Sequence, residues 1–185
     1  MLVYRVLPHR ADAAPGEPGH ARFVHPDQGS GRWDNPDLYA LLYVAASATG
    51  AIGEAFAGLS IWSEAMLGYP TILGSRRRLV AYELDDQRHQ LLDFDDAKTL
   101  AERGLRPTDI VKRNRARTQG IARDVFAEGS WAGLSWWSMH YPDWRLHALW
   151  ELGDLEVREI SELRAHPALG QAAEILGKQV DIGLA

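Results

Sequence analysis

The stretch GRWDNPDLYALLYVAASATGAIGE, residues 31–54, runs from a polar loop through a strand into a helix. Tyr39 to Ala46 reads as a buried strand. Alternation places Tyr39, Leu41, Tyr43 and Ala45 on one face and Leu42 and Val44 on the other. Ser47 is a helix-capping residue and opens a helix from Ala48 to about Ala57. On that helix Ala48, Ile52, Ala55, Phe56 and Leu59 fall at apolar spacing and form the expected core face. Glu54 lies two steps of about 100° from Ile52, off that face. Its neighbours one turn away in either direction are Gly50, Ala51, Ala57 and Gly58, all small. A glycine costs a helix about 1 kcal/mol relative to alanine. Two of them around one glutamate indicate that something approaches this face closely.

Outward from this stretch, Leu2 to Leu7 reads as a strand, followed by a long loop rich in Pro and Gly over residues 8–31. Ile61 to Leu67 reads as a short helix ended by Gly68 and Pro70. Arg78 to Leu84 and Gln90 to Phe94 read as strands with a polar turn between them. Asp95 or Asp96 caps a helix through Arg103, Thr108 opens another, and Arg115 to Glu128 forms a helix ending at Gly129. Gly133 to Met139 and Leu146 to Glu151 read as strands, and Ser161 to Lys178 as a helix broken near Pro167. Strands and helices mix without a βαβ alternation, so the expected class is α+β, one domain over residues 1–185.

The 185 residues are 46% hydrophobic and 24% charged, ordinary values for a globular protein. The chain contains no Cys, which excludes a disulfide scaffold, a Cys-ligated metal and a Cys nucleophile. A net charge of −5 speaks against a generic nucleic-acid binder. The start, Met1-Leu2-Val3-Tyr4-Arg5, lacks the apolar core of a signal peptide. The longest uncharged run, Leu38–Gly53, is too short for a membrane span of about 20 residues. A cytoplasmic protein that binds neither membrane nor nucleic acid directly is expected.

The common catalytic signatures are absent. There is no GxGxxG, no Walker lysine, no GxSxG and no HExxH. The seven His never pair at i, i+4, and His20 and His25 in the long loop lack typical ligand spacing, so no metal is expected. What remains is Arg32, Tyr43 and Glu54, evenly spaced, and the segment Gly133-Leu134-Ser135-Trp136-Trp137-Ser138. Alternation puts Leu134, Trp136 and Ser138 on one face. Five of the seven Trp (131, 136, 137, 144 and 150) lie within this region, which reads as core or a subunit interface. The runs Lys112–Arg117 and Arg76–Arg78 read as solvated basic faces.

The order Gly31-Arg32-Trp33, then Ala40-Leu41-Leu42-Tyr43-Val44-Ala45, then a helix carrying Glu54, then a strand carrying Ser138, resembles the RES domain family. That family is named for an Arg, a Glu and a Ser, matched here by Arg32, Glu54 and Ser138, with Ser135 as the competing serine. Tyr43 matches the family's Tyr between the Arg and the Glu. Val3-Tyr4-Arg5-Val6 and Leu146-His147-Ala148-Leu149-Trp150 resemble family strands, so the likeness spans most of the chain. Where the family commonly has Asn after Arg-Trp, this chain has Asp34.

The resemblance implies a fold like that of ADP-ribosyltransferases. It implies a toxin of a toxin–antitoxin pair that consumes NAD+ as substrate, by hydrolysis or phosphorolysis, with no other cofactor. Its partner would be an Xre-like helix-turn-helix antitoxin covering the site, in a homodimer or a toxin–antitoxin hetero-oligomer. Transfer of ADP-ribose to a protein and a non-enzymatic binding module are the alternatives. In such a site Glu54 would stabilise the positive ribose, Arg32 would hold the pyrophosphate, Tyr43 would meet a ring, and Ser138 would bind the ribose or the carboxamide.

Overall fold

The computed structural model describes residues 1–68, 72–150, 152 and 155–183. Its elements, in chain order, are strands β1 (Leu2–His9) and β2 (Leu42–Ala45), helix α1 (Ala48–Phe56), β3 (Ile61–Ser63), α2 (Glu64–Gly68), β4 (Arg76–Glu83), β5 (Leu91–Asp93), α3 (Ala97–Glu102), α4 (Pro107–Val111), α5 (Arg115–Ala127), β6 (Gly133–Trp137), β7 (Arg145–Leu149), β8 (Glu156–Glu162), α6 (Pro167–Ile175) and β9 (Gln179–Asp181). Seven strands form one sheet in the order β5-β6-β7-β2-β1-β4-β8, and β3 pairs with β9 separately. Within the large sheet only β5 and β6 run parallel. This is the expected α+β class with a central mixed sheet.

The two faces of the sheet carry two cores. Tyr43, Ala45, Leu79, Leu134, Trp136, Leu146 and Ala148 face the helices, among them Ile52 and Phe56 of α1. Val3, Leu7, Leu42, Val44, Val80, Tyr82 and Leu149 face the other way. The alternation read from β2 and β6 is therefore the alternation of the fold. The long loop after β1 covers the second core with Ala21 and Val24. It is pinned there by Arg5 donating to the Phe23 carbonyl (2.9 Å) and Tyr82 donating to the Ala21 carbonyl (2.5 Å).

Several expectations need correction. Tyr39 precedes the strand, because a turn around Asn35 takes the Leu38 and Tyr39 amides and the Gln28 side chain takes both backbone groups of Leu41. Ile61–Ser63 is a strand, not a helix, since its partner β9 lies far along the chain; the helix follows as α2, and Pro70 lies outside the described residues. Ser161 and Glu162 end a strand, β8, whose side chains are mostly exposed and charged. An edge strand of that composition carries little hydrophobic signal. Pro167 starts α6 rather than breaking it: the N-cap His166 accepts from the Ala168 amide at 3.2 Å, and proline suits the first helical position. Strand β7 ends at Leu149, and Glu151 lies outside the described residues.

On α1 the buried residues are Gly50, Ala51, Ile52, Gly53 and Phe56, whereas Ala55 and Leu59 are exposed. The helix is turned toward its glycines because they face Trp144. A methyl group at Gly53 would sit 2.1 Å from the Trp144 ring, and one at Gly50 would be 3.4 Å from the Trp144 Cβ. Of the glycines one turn from Glu54 only Gly50 meets Trp144, and the tightest approach is at Gly53, on the buried side of α1. Gly58 has no neighbour within 4 Å.

Candidate functional site

Ser47 caps α1 by accepting from the Gly50 amide at 3.0 Å, and two turns later α1 presents Glu54 to solvent above the helix-side face of the sheet. Ser138 follows β6 and is completely buried. Its hydroxyl donates to Glu54 Oε1. The same oxygen accepts from the His140 amide at 2.9 Å and the Tyr141 amide at 3.4 Å, a serine turn that fixes its direction. One donor and two lone pairs are then all engaged. Ser138 therefore aims Glu54 and has no capacity left for a ligand. Ser135 lies on the opposite sheet face, across from His147, with no hydrogen-bond partner for its hydroxyl.

Arg32 belongs to the loop before β2. Its Nη1 donates to the Ile110 carbonyl (2.6 Å) and the Lys112 carbonyl (2.7 Å), and Nη2 faces Met139 Sδ at 3.9 Å. Burial and then the nearby Arg115 lower its pKa, while Glu54 and Tyr43 pull it upward. It stays charged, as guanidinium does in proteins.

Tyr43 points its ring toward the same cleft, edge-on to Trp136. Its hydroxyl accepts from the Trp33 amide at 2.9 Å and donates to Asp34 Oδ1 at 2.7 Å. Burial first, and Asp34 second, push the phenol upward, so it serves as a neutral tether.

Asp34 is the residue that the sequence reading did not assign a role. Its Oδ2 accepts from the Gly29 and Gly31 amides at 2.9 and 2.6 Å. Gly31 has to be glycine here, since a methyl group would lie 2.4 Å from the carboxylate. The only available signal was its replacement of the family's usual Asn, and a sequence does not say what that carboxylate would meet. Thr118 and Gln119 of α5 complete the frame. The Thr118 hydroxyl donates to the Arg32 carbonyl at 2.5 Å, and the Gln119 amide donates to the Gly29 and Gly31 carbonyls at 2.9 Å each.

Arg32, Tyr43 and Glu54 border a cleft of about 630 Å³, also lined by Tyr4, Ala51, Arg113, Arg115, Met139 and His140. That volume is within the usual range for a small-molecule site, roughly 300–1,000 Å³. Among the described residues Glu54 is its only lining carboxylate. A larger cleft, about 1260 Å³, lies by β4 and β8 and is bordered by Glu83, Asp85, Arg88, Glu156 and Arg158. There Arg158 pairs with Glu83 and Glu156, and Arg88 with Asp85, so the charges neutralise one another. Among the described residues no three His, Asp or Glu side chains come together as a metal set, and no helix is long and apolar enough to cross a membrane.

The fold has a solved counterpart. The crystal structure of the M. tuberculosis MbcT–MbcA toxin–antitoxin complex matches with a TM-score of 0.61 and 20% identity, over 96% of this chain and 89% of that one. Comparison with curated proteins finds no match. The family model described as the RES domain matches residues 2–168, nearly the whole chain, and the protein therefore belongs to the RES domain family.

Proposed function

We propose that this protein is the toxin of a toxin–antitoxin pair and that it cleaves the nicotinamide–ribose bond of cytoplasmic NAD+. The observation that carries this reading is Glu54, among the described residues the one carboxylate lining a cleft that also presents arginines, aromatic rings and aliphatic side chains, aimed by a buried serine. Membership of the RES domain family and the likeness to a protein solved within a toxin–antitoxin complex support it. The antitoxin would be a helix-turn-helix protein of the Xre type.

In this reaction the C1′–N bond breaks and its electron pair leaves with neutral nicotinamide. The ribose becomes oxocarbenium-like, as in glycoside hydrolysis. The Glu54 carboxylate stabilises that charge, and its effect is large because the Ser138 hydrogen bond holds it in place beforehand. Water or inorganic phosphate then bonds to C1′; with water, its proton passes to solvent. No covalent nucleophile is needed.

The test is loss of NAD+ on incubation with purified protein, with and without inorganic phosphate, beside Glu54→Ala. Loss in the wild type alone is expected, and phosphate dependence names the acceptor. Stable NAD+ with a folded wild type overturns the reading. Label transferred from NAD+ to a protein band would move it to protein ADP-ribosylation.

A further inference from the structure

We infer that the anionic part of the substrate, the pyrophosphate of a dinucleotide, is clamped by Arg113 and Arg115, while Arg32 braces the segment that carries them. This rests on the NAD+-cleaving reading of the same cleft.

One end of the Arg32 guanidinium is tied to the main chain. Its Nη1 donates to two carbonyls, those of Ile110 at the end of α4 and of Lys112 just beyond it. Arginine often satisfies the last carbonyls of a helix in this way. The bond ties the loop before β2 to the connection between α4 and α5, and that connection carries Arg113 and Arg115 to the cleft. On the other side, Arg115 Nε donates to the Ser30 carbonyl at 3.0 Å, so the two segments are stapled twice.

That second staple uses one nitrogen of Arg115 and leaves its two terminal nitrogens with no hydrogen bond or ion pair. The Arg113 side chain makes none among the described residues. Elsewhere the arginines tend to face carboxylates: Arg10 meets Asp12, Arg76 meets Glu64, Arg103 meets Glu128, and Arg145 meets Asp93 and Asp95. The cleft is different: Arg32, Arg113 and Arg115 line it with, among the described residues, a single carboxylate, Glu54. Like charges gathered without counter-charge are unfavourable until an anion arrives. A planar guanidinium fork matches phosphate oxygens bidentately. A ligand with phosphates at one end and a ribose developing positive charge at the other fits this polarity. A neutral nucleoside leaves the arginines unused.

The experiment uses the full chain and inorganic pyrophosphate as probe, followed by calorimetry. Arg113→Ala and Arg115→Ala are each expected to weaken binding about tenfold, a change of about 1.4 kcal/mol. Lys98→Ala, a surface charge on α3, is expected to stay within twofold. Arg32→Ala should weaken binding and Arg32→Lys restore it, because an ammonium can also donate to two carbonyls. Arg115→Lys should not restore it, because the fork is lost. Equal affinity in the wild type and both alanine variants, or no binding by the wild type, overturns the clamp. In turnover, Arg115→Ala should raise KM for NAD+ about tenfold with kcat within threefold, and leave cleavage of nicotinamide riboside, which lacks the pyrophosphate, unchanged. A fall in kcat at constant KM also overturns it. If the wild type leaves NAD+ intact yet binds pyrophosphate through these arginines, the clamp stands and the proposed reaction falls.

Discussion

The hydroxyl of Ser138 donates to Glu54 across 84 residues of sequence, while two backbone amides, those of His140 and Tyr141, donate to it in turn. Glu54 is thereby held by a group that cannot rotate away. Ser138→Ala removes that donor and leaves the His140 amide without its partner. A buried donor left unpaired costs about 1–3 kcal/mol, and a small misplacement of a reacting group can cost on the order of 100-fold in rate. We expect kcat for NAD+ to fall at least about tenfold with KM little changed. Steady-state kinetics beside a melting curve check this; a rise in KM alone would place the serine on the substrate instead.

Glu54 itself is exposed, and among the described residues its only hydrogen bond is to Ser138. Glu54→Gln keeps the size and should leave thermal stability nearly unchanged. Removing the carboxylate charge should lower turnover by about 10²–10³, the usual loss for a group stabilising developing charge. Wild-type turnover in the glutamine variant would remove Glu54 from the chemistry.

Gly53→Ala places a methyl group 2.1 Å from the Trp144 ring. Either the indole or α1 has to move, and overpacking of this kind costs about 1–3 kcal/mol. Trp144 also accepts from the Ser138 amide at 2.8 Å through its carbonyl. The shift therefore reaches both halves of the Glu54–Ser138 pair, and activity should fall further than stability. Gly58→Ala, one residue past the C-cap of α1, meets nothing within 4 Å and needs no positive φ, so it should raise stability slightly by restricting the unfolded chain. Urea melts of the two variants make the comparison.

Asp34→Ala leaves the Gly29 and Gly31 amides and the Tyr43 hydroxyl without their acceptor. Each buried unpaired group costs about 1–3 kcal/mol, so a lowered melting temperature is expected. Weaker protection of the loop before β2 against protease is expected with it, since Asp34 draws that loop onto β2.

His147 is only 3% exposed and neither ring nitrogen has a hydrogen-bond partner. Burial, and then the charge of Arg145, hold its pKa down to about 4, against a smaller upward pull from Asp93. The folded state thus keeps it neutral while the unfolded chain, with a pKa near 6.5, takes up a proton. Stability from this residue is full above about pH 6.5 and is lost as pH falls toward 4. His147→Leu should remove this part of the acid sensitivity and gain stability at pH 7, where two unpaired nitrogens are replaced by apolar surface. Chemical melts of both proteins at pH 7 and pH 4.5 measure the difference; parallel losses would disprove it.

Local pattern was enough for the parts of the fold that make their own bonds. Ser47 capping α1, Asp96 capping α3, the stop of α5 before Gly129, and the inward set Leu134, Trp136 and Ser138 all follow from spacing and capping chemistry. The residues later found around the cleft were also legible, because Arg32, Tyr43 and Glu54 sit close together in sequence and Ser138 falls on the right face of its strand. Strands β3, β8 and β9 were not, since they are short or exposed and their only support is a partner distant in sequence.

The sequence by itself determined the class, the family likeness and which residue types converge. Only the tertiary structure decided what each does. Gly50 and Gly53 answer to Trp144 while Gly58 meets nothing, and Ser138 answers to Glu54. Arg32 gives its Nη1 to two carbonyls at and just beyond a distant helix end, while Arg113 and the terminal nitrogens of Arg115 have no hydrogen bond or ion pair among the described residues. The reason is physical: a hydrogen-bonding side chain has a fixed number of donors and acceptors, and which of them are already taken depends on groups that the chain brings near only by folding.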